Sequence, residues 1–462
     1  MTAGLRLAVF SLAAAFFSVA FVAPAALFPF IGIKLYWFRF CISGALIAVL
    51  LYAGFTRRHA LAGQAKLSAQ IRALMKSPIF LAVSFFVFSF LAATVFAYDR
   101  PAAFWSNFER GEGGFQMVYY YLFFTLLLLV VRTWHSWRVL LWSASLASLL
   151  VAVYGVLAAL NVRNAGGSRL FFGPVGISGW ISERFSGSLG NPEYAGAYFM
   201  LMLFLTGFLF FDPLMRRWQS VLQGALAAVF FTFFIFAQSR GAFVGFGAGL
   251  IAVLLYNAYF SKTIRRLTVG IMAMLLILLT LVFMFRTAPL LRQTPLVGRF
   301  LRISIHDRSL QARVFVWEAA LKGWLERPLF GWGPENFTTV FDAHFDVRHY
   351  DPKERSDTWY DRAHSVYFDY LVQTGIVGLT AFLAMFVVLF WRIVRREVEY
   401  RRAQSLWRPV FQRSLLFGFS VAYLIQGIVN FDVLPIYLLL FLFLALSTFI
   451  LDTETHDTGI NH

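Results

Sequence analysis

Runs of uncharged, mostly apolar residues separated by short polar breaks fill most of the chain. They fall near 7–29, 35–55, 79–97, 115–131, 139–160, 193–211, 220–237, 241–258, 267–285, 366–391, 412–430 and 433–451. Most are about twenty residues long, which matches the hydrocarbon core of a bilayer, where only helices and closed barrels satisfy the backbone. They are too long and too continuously apolar for barrel strands. The pattern therefore predicts an all-α polytopic membrane protein with about twelve transmembrane helices. One stretch breaks the rhythm: 286–365 is the only long hydrophilic run. The chain divides into 1–285 with nine spans, 286–365 as one large loop, and 366–462 with three more spans and a tail.

Composition agrees with the pattern. The 462 residues are 60% hydrophobic, 19% aromatic and only 14% charged, more apolar surface than a soluble fold readily hides. A net charge of +17 raises the possibility of nucleic acid, and its distribution answers it. With the N-terminus inside, the inner segments hold about 20 Lys and Arg against about 6 Asp and Glu, and the outer ones about 20 against about 17. That is the positive-inside asymmetry, and it sets the 286–365 loop outside. The one cysteine, Cys41, lies within a span, so an intramolecular disulfide is excluded. The first span carries an Ala23-Pro24-Ala25 triplet like a cleavage site, but its length and the spans that follow make it an expected uncleaved signal-anchor.

The polar breaks differ in content. The inner segment 57–76 is basic and predicts an interfacial helix. The first outer loop, 98–114, carries Asp99, Arg100, Glu109, Arg110 and Glu112, which read either as solvated charges or as ligands of a metal that steadies a diphosphate. The second, about 161–192, holds Arg163, Arg169 and Arg184 and closes on Gly190-Asn191-Pro192, a turn before a helix. A helix N-terminus there suits an anion, and an ordinary capped loop fits as well. The turn Gln238-Ser239-Arg240-Gly241-Ala242 is so short that Arg240 sits near membrane depth, facing a polar cavity or snorkelling to headgroups.

The large loop has its own order. Arg286, Arg292, Arg299 and Arg302 lead in, spaced to lie along a membrane surface. Residues 311–325 have helical period, with Val314, Trp317, Leu321, Trp324 and Leu325 predicted on one apolar face and Arg313, Glu318 and Lys322 elsewhere. The run 326–337 is punctuated by Pro328, Gly331, Gly333 and Pro334 and predicts a turn. Within 338–362, His344, Asp346, Arg348, His349, Asp351, Asp357 and Asp361 have no zinc-ligand spacing; the segment is a candidate lid. His364 opens the next span at the water–membrane boundary, where an imidazole can accept a proton near neutral pH. Two fixed cations, Arg240 and Arg313, with a proton acceptor at His364 suit displacement of a diphosphate from a lipid-borne ligand.

Four stretches in order resemble the O-antigen ligase and O-antigen polymerase family of bacterial envelope enzymes. They are Gly190-Asn191-Pro192; Ser239-Arg240-Gly241-Ala242; Arg313 and Trp317 with 327–333; and 364–378. The resemblance spans about 180–380 and implies a fold like the C-type glycosyltransferases, in the bacterial inner membrane. It implies a glycan donor on undecaprenyl diphosphate, periplasmic transfer with inversion, and no nucleotide sugar, cofactor or metal. Arg240 and Arg313 would contact the diphosphate and His364 the acceptor hydroxyl. Arg184, Asn191, Arg327, Asp361, Arg362 and Ser365 complete the expected substrate-binding set; the family commonly has Asn where this chain has Ser365. The expected acceptor is lipid A–core, with a growing glycan chain (polymerase) as the alternative and a protein acceptor as a third. A transporter or flippase is the competing class. It would need polar groups near the bilayer midplane, and this chain concentrates them on one face.

Overall fold

A helix stands at each of the twelve apolar runs in the computed structural model, which describes residues 3–59, 61–107, 110–164, 167–286, 288, 308–350, 358–401 and 407–453. In chain order these helices are α1 (Ala3–Ala15, continued by a 3₁₀ turn Phe16–Ala20), α2 (Gly32–His59), α3 (Leu61–Leu74), α4 (Pro78–Val95), α5 (Arg100–Trp105) and α6 (Gly114–Val130). Next come α7 (Trp134–Ala159), α8 (Gly176–Ser182), α9 (Pro192–Phe210), α10 (Arg217–Ala237), α11 (Arg240–Phe260) and α12 (Arg265–Met284). After the loop follow α13 (Arg308–Glu326), α14 (Phe337–Ala343), α15 (Val366–Arg401), α16 (Trp407–Gln426) and α17 (Leu434–Thr448). Among the described residues nine helices are long and apolar enough to cross a membrane; α1 with its 3₁₀ turn, and α6, are shorter apolar helices. Glu109, Arg292, Arg299, Arg302, Asp351 and Asp357 lie outside the described residues.

Two helices show what the apolar composition is for. In α17 every residue is buried, as a helix apolar all round should be at the centre of a bundle. In α12 only Thr268 is buried, although its sequence is nearly all apolar. A face that apolar and that uncovered needs a non-aqueous surrounding, so α12 is a lipid-facing helix of a multi-pass membrane protein.

Small residues set a close contact between α11 and α16. A Cβ on Gly249 of α11 would come within 2.7 Å of the Gly418 carbonyl of α16, and one on Gly418 within 2.9 Å of the Gly249 carbonyl. Such backbone proximity is how apolar helices gain packing energy without a hydrophobic driving force.

The punctuated run after α13 is bound into a break in α15. Gly375 has φ 65°, outside helical space, and an L side chain there would collide with the Leu329 backbone. The break leaves Val372 and Gln373 carbonyls open, and the Trp332 and Gly333 amides donate to them, both at 2.9 Å. In return the Ile376 amide donates to the Pro328 carbonyl at 2.9 Å. The polar backbone of a membrane helix is thereby satisfied at its own kink, and the cap is locked to the bundle.

The cap has a core of its own: Val316 and Ala320 of α13, Phe337, Val340 and Phe341 of α14, Trp332, Ala363 and Val372. The packing face of α13 is not the predicted one. Val316, Ala319, Ala320 and Gly323 are buried, whereas Val314, Leu321 and Leu325 are exposed. The cause is close approach: Gly323 lies directly against the Val340 side chain, and only small residues allow it. Val314, Leu321 and Leu325 remain as a second, outer apolar stripe, whereas Trp317 and Trp324 are half-buried.

Candidate active site

Under the cap, the N-termini of α9 and α11 meet. Asn191 caps α9, its side chain accepting from the Glu193 amide at 2.8 Å, and Pro192 takes the first turn. Ser239 caps α11, accepting from the Ala242 amide, and its hydroxyl donates to Glu193 Oε2. Gly196 permits the approach, since a Cβ there would stand 2.6 Å from the Ser239 Cβ. Glu193 Oε1 also accepts from Arg184 Nη2 at 2.7 Å, and Arg184 Nε reaches back to the Ala237 carbonyl at 3.1 Å. Arg184 itself sits at φ 75°. Arg240 follows Ser239 as the first, half-buried residue of α11.

The spacing of Arg313 and Trp317 now has a reason. Trp317 Nε1 donates to the Ala363 carbonyl at 3.0 Å, and its ring stacks on Phe368 at 5.1 Å. That fixes α13 to the residue before His364. Arg313, one turn earlier on the same side, is thereby close enough for its charge to act on the His364 imidazole and on the Glu193 carboxylate.

His364 adopts φ 54°, an uncommon backbone for a residue with a side chain. Its ring stands edge-on to Tyr360 at 5.2 Å and to Phe431 at 5.0 Å. Nδ1 lies 3.0 Å from the Arg362 carbonyl, an acceptor only, so Nδ1 carries the hydrogen and Nε2 keeps the free lone pair. Burial, with the Arg313 and Arg110 charges, holds the imidazole below its ordinary range. The ring is therefore neutral near pH 7 and able to accept a proton.

A second ion pair frames the histidine. Arg110 grips Asp361 through Nε at 2.5 Å and Nη2 at 2.9 Å, reaches the Tyr194 hydroxyl at 3.1 Å, and lies over the Phe431 ring at 5.2 Å. The Asp361 carboxyl is held below its usual range by this arginine, against the effect of burial.

The expected residues do not all gather here. Arg184, Arg313, Asp361 and His364 converge with Ser239 and hence Arg240. Asn191 is taken up by its capping role. Ser365 is buried beneath, its hydroxyl 3.5 Å from the Gly427 carbonyl. Arg362 turns inward to pair with Glu335 and with Gln373 at 3.2 Å. Arg327 stacks instead on Tyr98 at 5.6 Å and Trp332 at 5.0 Å. Arg110, Glu193, Tyr194 and Phe431 join the group without a local signal; Arg110 and Asp361 are 251 positions apart. Of the acids in the first outer loop, Asp99 caps α5 and Glu112 accepts from the Tyr120 hydroxyl at 3.0 Å. In the cap, His344 is held by Glu326 at 2.8 Å, and Arg348 by Asp346 and Glu318.

Residues 225–383, which contain Arg240, Arg313 and His364, match the model of the O-antigen ligase family. No curated protein matches the chain.

Proposed function

We propose, from the premise that this chain belongs to the O-antigen ligase family through residues 225–383, that it transfers a glycan from undecaprenyl diphosphate to an acceptor hydroxyl on the periplasmic face. The acceptor in this reading is lipid A–core. The observation that carries it is the convergence of Arg313, a neutral His364 with Nε2 unprotonated, and the Ser239–Arg240 helix start around Glu193.

The chemistry follows from those groups. The acceptor hydroxyl gives its proton to His364 Nε2 as its oxygen attacks the anomeric carbon. The bond from that carbon to the diphosphate oxygen breaks on the opposite face, so configuration inverts. The electron pair leaves with undecaprenyl diphosphate, whose growing charge Arg240 and Arg313 stabilise. Asp361 and Arg110 hold the loop on which His364 stands. In this scheme arginine charge takes the part a metal plays elsewhere.

The test uses purified full-length protein, a synthetic undecaprenyl-diphosphate glycan, and either lipid A–core or a second donor molecule as acceptor, with His364→Ala and Arg240→Ala alongside. A lipid A-linked product lost in both variants supports the ligase. Chain elongation moves the assignment to a polymerase. No product with either, but donor movement across liposomes, replaces transfer with transport.

A further inference from the structure

Directly beneath the His364 loop lies a small cavity bordered by Glu112, Arg362, Asp369, Gln373, Asp432 and Tyr437, with room for little more than one water molecule. Its charges do not balance. Glu335 pairs with Arg362 at the cavity edge, so four carboxylates, Glu112, Glu335, Asp369 and Asp432, face one guanidinium. Lys34 and Arg110 border the adjoining pocket that Glu112 also reaches. Lys34 donates to the Phe21 and Ser188 carbonyls, and Arg110 is matched by Asp361. With Lys34 counted, the carboxylates still outnumber their cations by two, in a place where all four carboxylate side chains are buried. Excess buried charge of that kind is removed by binding a proton or a cation.

One atom says where. Asp369 is buried, and its Oδ1 accepts from the Ala363 amide at 2.8 Å and from Gln373 at 3.5 Å. Its Oδ2, also buried, has no hydrogen-bond partner among the described residues, while the side chain borders the cavity. The other two acids are met by phenols: Tyr120 donates to Glu112 at 3.0 Å and Tyr423 to Asp432 at 2.5 Å. Tyr370 and Tyr437 are hydrogen-bonded to each other at 3.0 Å.

We propose that this cavity is a proton-binding site, with Glu112, Asp369 and Asp432 holding protons as one cluster and the unpartnered Asp369 Oδ2 facing the cavity, and that the site holds the His364 loop in its working shape only while protonated. The link to the loop is direct, because the amide that Asp369 receives belongs to the residue before His364, and Trp317 holds the carbonyl of that same residue. Burial pushes Glu112 up to about 8 and Asp432 up to about 7, so the cluster still binds protons in the neutral range. Titration of such a group belongs to the cluster rather than to any one member.

Infrared spectroscopy of the full-length protein in lipid nanodiscs tests this without any substrate. Wild type should show the carbonyl stretch of protonated carboxyls at pH 7, shifted on deuteration and lost above about pH 8. Asp369→Asn, Asp432→Asn and Glu112→Gln should each remove part of it. In the transfer assay, Asp432→Asn and Glu112→Gln, which imitate the protonated forms, should move the alkaline limb upward by about one pH unit. Absence of the band at pH 7 in wild type, or a band untouched by all three substitutions, overturns the proposal. So does a band that Na⁺ or K⁺ abolishes at pH 7, which assigns the cavity to a metal cation. The infrared result stands whether or not the chain transfers glycan.

Discussion

The two ends of this bundle use the same residue types differently. At the end away from the cap, Arg413 of α16 pairs with Glu397 Oε2 of α15 at 2.6 Å, and the Tyr256 hydroxyl donates to the same oxygen at 3.1 Å. Arg392 pairs with Asp452 at 2.6 Å and donates to the Leu451 carbonyl, while Ser77 donates to the same aspartate. Arg413, Glu397, Tyr256 and Arg392 sit on α-helices, Ser77 caps α4, and Asp452 lies in the π-helical turn Phe449–Thr453. At the capped end, Arg184, Gln238, Glu335 and His364 all have positive φ without being glycine. Such backbone persists only where its surroundings over-determine it, and it gathers where function needs a fixed geometry. One network clamps helices together; the other presents arginines and an imidazole beneath helix α13, which Trp317 anchors to the Ala363 carbonyl. Strain, not charge, tells them apart.

Breaking the capped end should cost rate. His364→Ala should lower transfer by about 10²–10⁴-fold, read as product formed per folded protein. Arg313→Ala and Arg240→Ala should each cost about 10²–10³-fold, and the lysine variants should recover only part, since a point charge replaces a bidentate fork. Breaking the other end should cost stability: Glu397→Ala strands Arg413 in the interior and should destabilise by about 3–5 kcal/mol. Thermal unfolding in detergent measures it, and the surviving folded fraction should keep its rate per molecule.

The smallest effect sharpens the comparison through pH. His364 lies below its ordinary range through burial and the Arg313 charge. Protonation removes the base, so rate should rise with pH through an acid limb placed below the usual histidine value. Removing the positive charge in Arg313→Gln should raise the imidazole pKa and move that limb to higher pH, seen in residual activity or in ¹⁵N-histidine titration. Glu397→Ala should leave the limb where it is. A chelator should leave the rate unchanged throughout.

Much of the candidate site was legible because its motifs are local. Gly190-Asn191-Pro192 and Ser239-Arg240 are helix starts, and a helix start is written in a few adjacent residues. The Arg313–Trp317 interval is one helical turn, and the kink glycine Gly375 lies within the stretch that opens with His364. Arg362 and Arg327 show the limit. Each is a cation within a motif, yet one pairs inward with Glu335 and the other stacks on Tyr98 and Trp332. Arg110 and Phe431 were illegible for the opposite reason, since their value comes from partners far along the chain.

Apolar runs of bilayer length, the bias of basic residues and the break at 286–365 determined by themselves that this is a helical membrane protein with a polar segment before His364. Those properties depend on transfer free energies of consecutive residues, which add up along the chain. Which face of α13 packs, which arginine meets His364, and the enclosed carboxylates under it were decided by tertiary structure alone. They depend on distances between residues remote in sequence and on burial in a low-dielectric interior, and no single segment encodes either.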